Sequence, residues 1–198
     1  MRRFAIAAAM ALCITNIDAV QAQDTFALDF RGGVALPAED LGDTSLNTGF
    51  GLGVTASYRI QPHLRIYGGW DWTHFVTDDD AEFDVEPNGY AFGLQFQHPF
   101  SNSMWGWVRA GGLYNHIEVE DGDGSVFDSG HELGWEVGGG VRLPLGQRLA
   151  LTPGVRYRAF SADFDVAAAP ASVDMSFFSA EMGISWSFGA GSLTSARK

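Results

Sequence analysis

The sequence predicts an all-β fold, an eight-stranded antiparallel up-and-down transmembrane β-barrel, on three observations. Large apolar residues recur at every second position over stretches of ten or more residues, the period of a strand with two unlike faces. The connections between those stretches alternate between short turns and long polar loops, the plan of a barrel that crosses a membrane on strands. The face opposite the apolar one is glycine and other small residues with Arg, Glu and Gln, and lysine occurs only at Lys198. A water-facing surface of that extent would carry more lysine and less glycine.

The N-terminal residues 1–22 read as a secretory signal peptide. Arg2 and Arg3 form its positive end, Phe4–Ile14 is an uncharged apolar run, and Val20-Gln21-Ala22 offers a small-residue cleavage site. The apolar run is too short to span a bilayer as a helix, and no later run is long enough either. Cys13, the single cysteine, lies in this peptide behind bulky Leu12, which argues against a lipoprotein and leaves the exported chain without disulfides. Cleavage removes Arg2, Arg3 and Asp18 and so moves the net charge from −12 to −13, which argues against nucleic acid as a partner. Residues 23–188 form the expected barrel domain, and 189–198 a short periplasmic tail.

Strands are expected at 25–36, 48–60, 64–75, 88–98, 104–117, 132–143, 149–162 and 175–188. Short turns follow at Gln61-Pro62-His63, Ser101-Asn102-Ser103 and Pro144–Arg148, on the periplasmic side. Long outer loops cover 37–47, 76–87, 118–131 and 163–174. Pro37, Pro62, Pro87, Pro99, Pro144 and Pro170 are expected at strand ends, turns or loops, where no ladder donor is missed. Pro153 falls inside the seventh strand, so a bulge or a late ladder start is expected there. The apolar face of strand two is Phe50, Leu52, Val54, Ala56, Tyr58 and Ile60, set against Gly49, Gly51, Gly53, Thr55, Ser57 and Arg59. The apolar face is assigned to lipid and the small polar face to the lumen. Phe100, Trp105, Trp186 and Phe188 should form a periplasmic aromatic girdle, and Trp70, Trp72, Phe75, Tyr90, Trp135 and Phe160 an outer one.

Charge follows the same division. The long loops hold most of the carboxylates and no Arg or Lys, whereas Arg31, Arg59, Arg65, Arg109, Arg142, Arg156 and Arg158 share the small-residue face. An eight-stranded barrel is filled by its own side chains, and charges buried there need partners. A lumen polar network of Asp29, Arg31, Asp71, Arg109, Glu136, Arg156, Arg158 and Glu181 is therefore expected, with Glu181 opposite Arg156 in the last hairpin. Such a network serves as a structural plug or, alternatively, as a gate on a narrow polar path.

The last expected strand ends in Glu181-Met182-Gly183-Ile184-Ser185-Trp186-Ser187-Phe188. This resembles the β-signal of outer-membrane proteins, and the chain as a whole resembles the small outer-membrane β-barrel superfamily: the OmpA transmembrane domain, OmpX and the opacity-type surface proteins. The resemblance implies a monomer in the bacterial outer membrane, in contact with lipid and lipopolysaccharide. It also implies that Glu181, Gly183, Trp186 and Phe188 are read by the barrel-assembly machinery. Here ten residues follow Phe188, whereas the family's last aromatic usually ends the chain. No cofactor is implied. The role expected is non-catalytic, in membrane integrity, surface interaction through acidic loops, or both; the alternative is a small cation-preferring pore.

Two further motifs bring chemical groups together. Asp121-Gly122-Asp123-Gly124-Ser125 has the opening spacing of a calcium loop but lacks the downstream Glu, so no metal site is assigned. Ser129-Gly130-His131-Glu132 offers a hydroxyl, an imidazole and a carboxylate, the groups of a lipid A-modifying hydrolase. Their side chains fall on alternate faces of one short segment, and no catalytic residue is assigned.

Overall fold

Alternating side chains and regularly spaced turns leave the chain one economical arrangement: each strand pairs with the next, and the last pairs with the first. The computed structural model describes residues 25–39, 45–77, 84–101, 104–120, 126–166 and 169–188. The expected signal peptide, the tail 189–198, turn residues 102–103 and the motif at 121–125 lie outside the described residues. The strands are β1 (Phe26–Pro37), β2 (Gly49–Gln61), β3 (Leu64–Val76), β4 (Asp84–Ser101), β5 (Met104–Glu120), the short β6 (Val126–Asp128), β7 (Glu132–Pro144), β8 (Leu149–Leu151), β9 (Gly154–Val166) and β10 (Ala169–Phe188). β6 pairs only with the outer end of β5. β8 and β9 together make one barrel strand between β7 and β10, so eight antiparallel strands close the ring.

The partner register fixes the barrel's geometry. One circuit runs from Ala27 through Ser57, Tyr67, Gly93, Gly111, Glu136, Arg158 and Phe177 and returns to β1 at Pro37, ten residues further along. A stagger of that size on eight strands tilts them by roughly 40° and leaves an interior only wide enough for side chains.

Exposure identifies the two faces. Phe30 is 56 % exposed, Phe92 54 % and Ile184 51 %, whereas Arg156 on the other face is 3 % exposed and Ser185 is fully enclosed. The apolar face is thus the outer, lipid-facing one. Trp70, Tyr90 and Trp135 stand on it towards the loops, and Phe100 and Trp186 towards the short turns.

Phe75 and Phe160 depart from this plan: both are buried in the lumen. Trp105 carries the same strand parity as buried Arg109, and so belongs to the lumen side of the periplasmic rim rather than to the girdle. Towards its outer end the lumen becomes apolar. Phe75, Val85, Leu113, Ile117, Phe160, Met175 and Phe177, from five strands, form one buried cluster. The rings of Phe75 and Phe177 meet edge to face at 5.3 Å.

The strands also run further out than expected. β4 begins at Asp84, β5 reaches Glu120, and β9 and β10 leave only two residues between Val166 and Ala169. Pro87 and Pro170 therefore lie inside strands, not in loops. At Pro87 the β3–β4 ladder lapses between Trp72↔Asn88 and Phe75↔Val85 and resumes in the same register. Pro170 pairs with Asp165 in the part of β10 that precedes its pairing with β1, so its missing donor faces no second strand. Pro153 makes neither a bulge nor a late start. The register is the same on both sides of it, Val141 N–H donates to the Pro153 carbonyl at 3.0 Å, and only the returning bond is lost. The Val141 carbonyl left over accepts the indole N–H of Trp107 at 3.3 Å. A side chain from β5 replaces the donor that proline removes.

Lumen glycines make room for the large side chains opposite. A Cβ on Gly111 would collide with the Phe92 carbonyl and the Tyr67 hydroxyl. We expect Gly111→Val to cost several kcal/mol, on the order of 2–4, through backbone displacement. Unheated gel samples report this: the native barrel should migrate faster than its boiled form, and Gly111→Val should lose the fast species at lower urea. A variant as urea-resistant as the wild type would refute the close approach.

Candidate functional site

The lumen holds the concentration of charge that the alternation predicts. β3 and β9 are four steps apart in either direction around the ring, so they face each other across the barrel. Asp71 on β3 nevertheless lies 2.8 Å from Arg158 Nη2 and 3.1 Å from Arg156 Nη2, both on β9. These contacts span the full diameter.

Arg156 is the centre of the network. Its Nε donates to Glu181 Oε2 at 2.8 Å, its Nη1 lies 3.2 Å from Glu136, and its Nη2 bonds both Asp71 and Glu181. Three carboxylates from β3, β7 and β10 converge on one guanidinium. Around them, Arg109 reaches Glu136 at 3.1 Å and Arg158 reaches it at 3.3 Å. Arg31 donates to Asp71 at 2.9 Å, lies 3.5 Å from Glu181, and bonds the Thr55 hydroxyl. Among the expected residues, Asp29 alone stands aside from these ion pairs among the described residues; it lines the cavity beneath them. The hairpin register also differs from expectation: Glu181 stands opposite Gly154, and Arg156 opposite Ser179. The two bond diagonally, because a long side chain covers a two-residue offset.

Three parts of the lumen escaped the sequence reading. Tyr67 donates its hydroxyl to Glu136 Oε1 at 2.7 Å, and its ring lies 4.9 Å from the Arg109 guanidinium carbon. Its parity with Arg65 and Asp71 on β3 was the available signal. Arg142 donates to the hydroxyls of Ser185 at 2.7 Å and Ser187 at 2.6 Å, which gives the small residues of the final strand a lumen role. The apolar cluster had no sequence signal beyond the loss of strict alternation at Phe75-Val76 and Leu113-Tyr114.

Below the network lies a small cavity of about 30 Å³, bounded by the periplasmic halves of the strands. Above the network sits the apolar cluster. The lumen is thus layered: a periplasmic vestibule, an ionic belt, then an apolar outer stopper.

The final strand places its expected signal residues as follows. Trp186 is 44 % exposed on the lipid face, and Phe188 packs on Phe26 at 5.9 Å across the seam with β1. Gly183 faces the lumen, where a Cβ would collide with the Thr152 hydroxyl. Glu181 belongs to the ionic belt. At the outer rim, Ser129 Oγ accepts the Ile117 N–H at 2.8 Å and donates to the Gly130 carbonyl at 3.1 Å. His131 instead lies 3.1 Å from His116, so the hydroxyl and this imidazole serve different partners. His74 Nδ1 lies 3.0 Å from Glu86.

Residues 4–188 match the family model described as outer membrane protein beta-barrel domain. None of the curated proteins matches the chain significantly in sequence. Among solved structures, Neisserial surface protein A is 19 % identical, with a TM-score of 0.63 over 84 % of this chain and 99 % of that one. AlkL in lipid bilayers is 17 % identical, with a TM-score of 0.52 over 93 % and 98 %. The N-terminal barrel domain of Pseudomonas aeruginosa OprF is 8 % identical, with a TM-score of 0.52 over 84 % and 99 %.

Removing Glu136 would leave Arg109, Arg156 and Arg158 facing one another in a water-poor lumen. Glu136→Leu should cost about 3–5 kcal/mol, while Asp163→Asn on an exposed strand end should change stability by well under 1 kcal/mol. Urea unfolding in lipid vesicles, followed by tryptophan fluorescence, measures both. Equal midpoints for the two variants would show that the belt contributes nothing to stability.

Proposed function

Because the chain belongs to the outer-membrane β-barrel protein family and sits in the bacterial outer membrane, we propose that it works as a closed, non-catalytic barrel that reinforces the membrane and displays acidic loops at the cell surface. One observation carries this reading. Phe75, Leu113, Ile117 and Phe177 are buried almost completely in the outer lumen, directly above ion pairs that cross the barrel. A permeating ion would have to break those pairs and then pass an apolar constriction, and both steps are costly in low dielectric. The loops left outside are strongly acidic: Asp78-Asp79-Asp80 and Asp121-Gly122-Asp123 sit in segments without Arg or Lys. Their field favours cationic partners and repels other anionic surfaces. The convergence of Glu181, Gly183, Trp186 and Phe188 on the closing seam supports their reading as the segment recognised during assembly.

Planar-bilayer recording tests closure. The wild type should give no discrete openings, and Phe75→Ala with Phe177→Ala should remain closed or pass only brief events, because the ionic belt persists. Regular cation-selective steps from the wild type would replace this reading with that of a small cation-preferring pore. In cells, neutralising Asp78, Asp79, Asp80, Asp121 and Asp123 to Asn should abolish attachment to cationic surfaces while leaving detergent resistance intact. Loss of detergent resistance with attachment unchanged would contradict the division of roles.

A further inference from the structure

The ionic belt is not balanced. Arg31, Arg109, Arg156 and Arg158 stand against three carboxylates, Asp71, Glu136 and Glu181. The surplus falls on Arg109. It shares Glu136 with two other guanidiniums, its side chain is 4 % exposed, and its Nε has no hydrogen-bond partner among the described residues. A buried guanidinium N–H without an acceptor is costly, and five fixed donors suit an oxygen-rich anion.

Arg109 is also a wall of the periplasmic vestibule. The other walls include Arg142, Gln97 and Thr152, which bring further donors, and Asp29, a carboxylate outside the ion pairs among the described residues. The lining residues lie on the periplasmic side of the belt, and the apolar cluster closes the lumen beyond it. A solute therefore enters and leaves on the periplasmic side. Donors converge from several strands, as in a small-ligand site built on rigid elements.

We propose that the vestibule is a binding site for a small oxyanion that still carries a proton, of which inorganic phosphate is the simplest. Arg109 and Arg142 supply charge-assisted hydrogen bonds to its oxygens. Asp29 accepts the anion's own O–H, a bond that sulfate and simple carboxylates, fully deprotonated at neutral pH, do not offer. An unprotonated anion meets the Asp29 carboxylate as a like charge instead. The site is distinct from the surface loops, lies on the opposite side of the membrane from them, and is independent of whether the barrel conducts.

The test is titration of inorganic phosphate into the full-length barrel in detergent at fixed ionic strength and neutral pH, read by ³¹P line broadening and calorimetry. Saturable binding at one phosphate per barrel is expected, with sulfate and acetate at least tenfold weaker. Arg142→Gln should weaken phosphate tenfold or more. Asp29→Asn should instead erase the preference for phosphate over sulfate, and fast gel migration of unheated samples checks that each variant is folded. Because Asp29 takes no part in the belt's ion pairs among the described residues, its variant keeps the test decisive even if Arg142→Gln does not fold. Absence of saturable phosphate binding overturns the proposal, as does phosphate binding that matches sulfate in the wild type or stays unchanged in Asp29→Asn.

Discussion

Arg156 holds three carboxylates from three strands at the axis of the barrel, and the remaining architecture is built to allow that contact. A guanidinium enclosed to this degree is tolerable only when its donors are used and its charge is met. Meeting it requires Asp71 from the opposite wall, Glu136 from β7 and Glu181 from β10, which are far apart in the chain and adjacent only in the closed ring. The network therefore does what a hydrophobic core does in a soluble domain: it rewards one strand order and one register. A one-residue slip of β9 would turn Arg156 and Arg158 towards lipid and strand the three acids.

The glycines and the layering follow from the same constraint. Eight strands staggered by ten residues leave little space, so large lumen side chains lie over small residues on nearby strands. Tyr67 lies over Gly93 and Gly111, Asp71 over Gly53, and Arg156 over Gly138. Trp107 fills the space above Gly140 and Gly154 and bonds the carbonyl that Pro153 leaves unpaired. Mid-strand glycine, usually a weakness in a sheet, is here the complement of a filled interior.

Much of this was legible from alternation alone. The two faces, the eight strands, the membrane as surroundings and the convergence of arginines and acids all follow from parity, because a strand in lipid hides nothing about which side is apolar. Parity does not record height or diagonal reach. Phe75 and Phe160 look like girdle residues when only their apolarity is read, yet they sit on the lumen parity of β3 and β9, among residues that exclude water from the outer end. Folding the hairpin about its middle sets Glu181 opposite Arg156, whereas side-chain length lets them bond across an offset of two. Acidic, proline-containing segments read as loops and shorten the expected strands; in a hairpin that projects past the membrane, both strands can be polar on the outside. Pro153 suggested a disrupted ladder because the compensating donor, Trp107, comes from a different strand and leaves no local trace.

The seam between β1 and β10 pairs Phe26–Pro37 with Phe177–Phe188, joining the first and last described strands along the whole of β1. Every other neighbour in the ring is also a neighbour in sequence order, so these are the most distant contacts the chain makes and the last that it can form. Until they form, the sheet has two raw edges, each a row of unsatisfied backbone groups with an oily flank. A chain truncated before Glu181 would lack both the latch and one of the acids that Arg156 needs. Closure thus waits until β10 has been made, and until then the sheet has no edge-free form available to it.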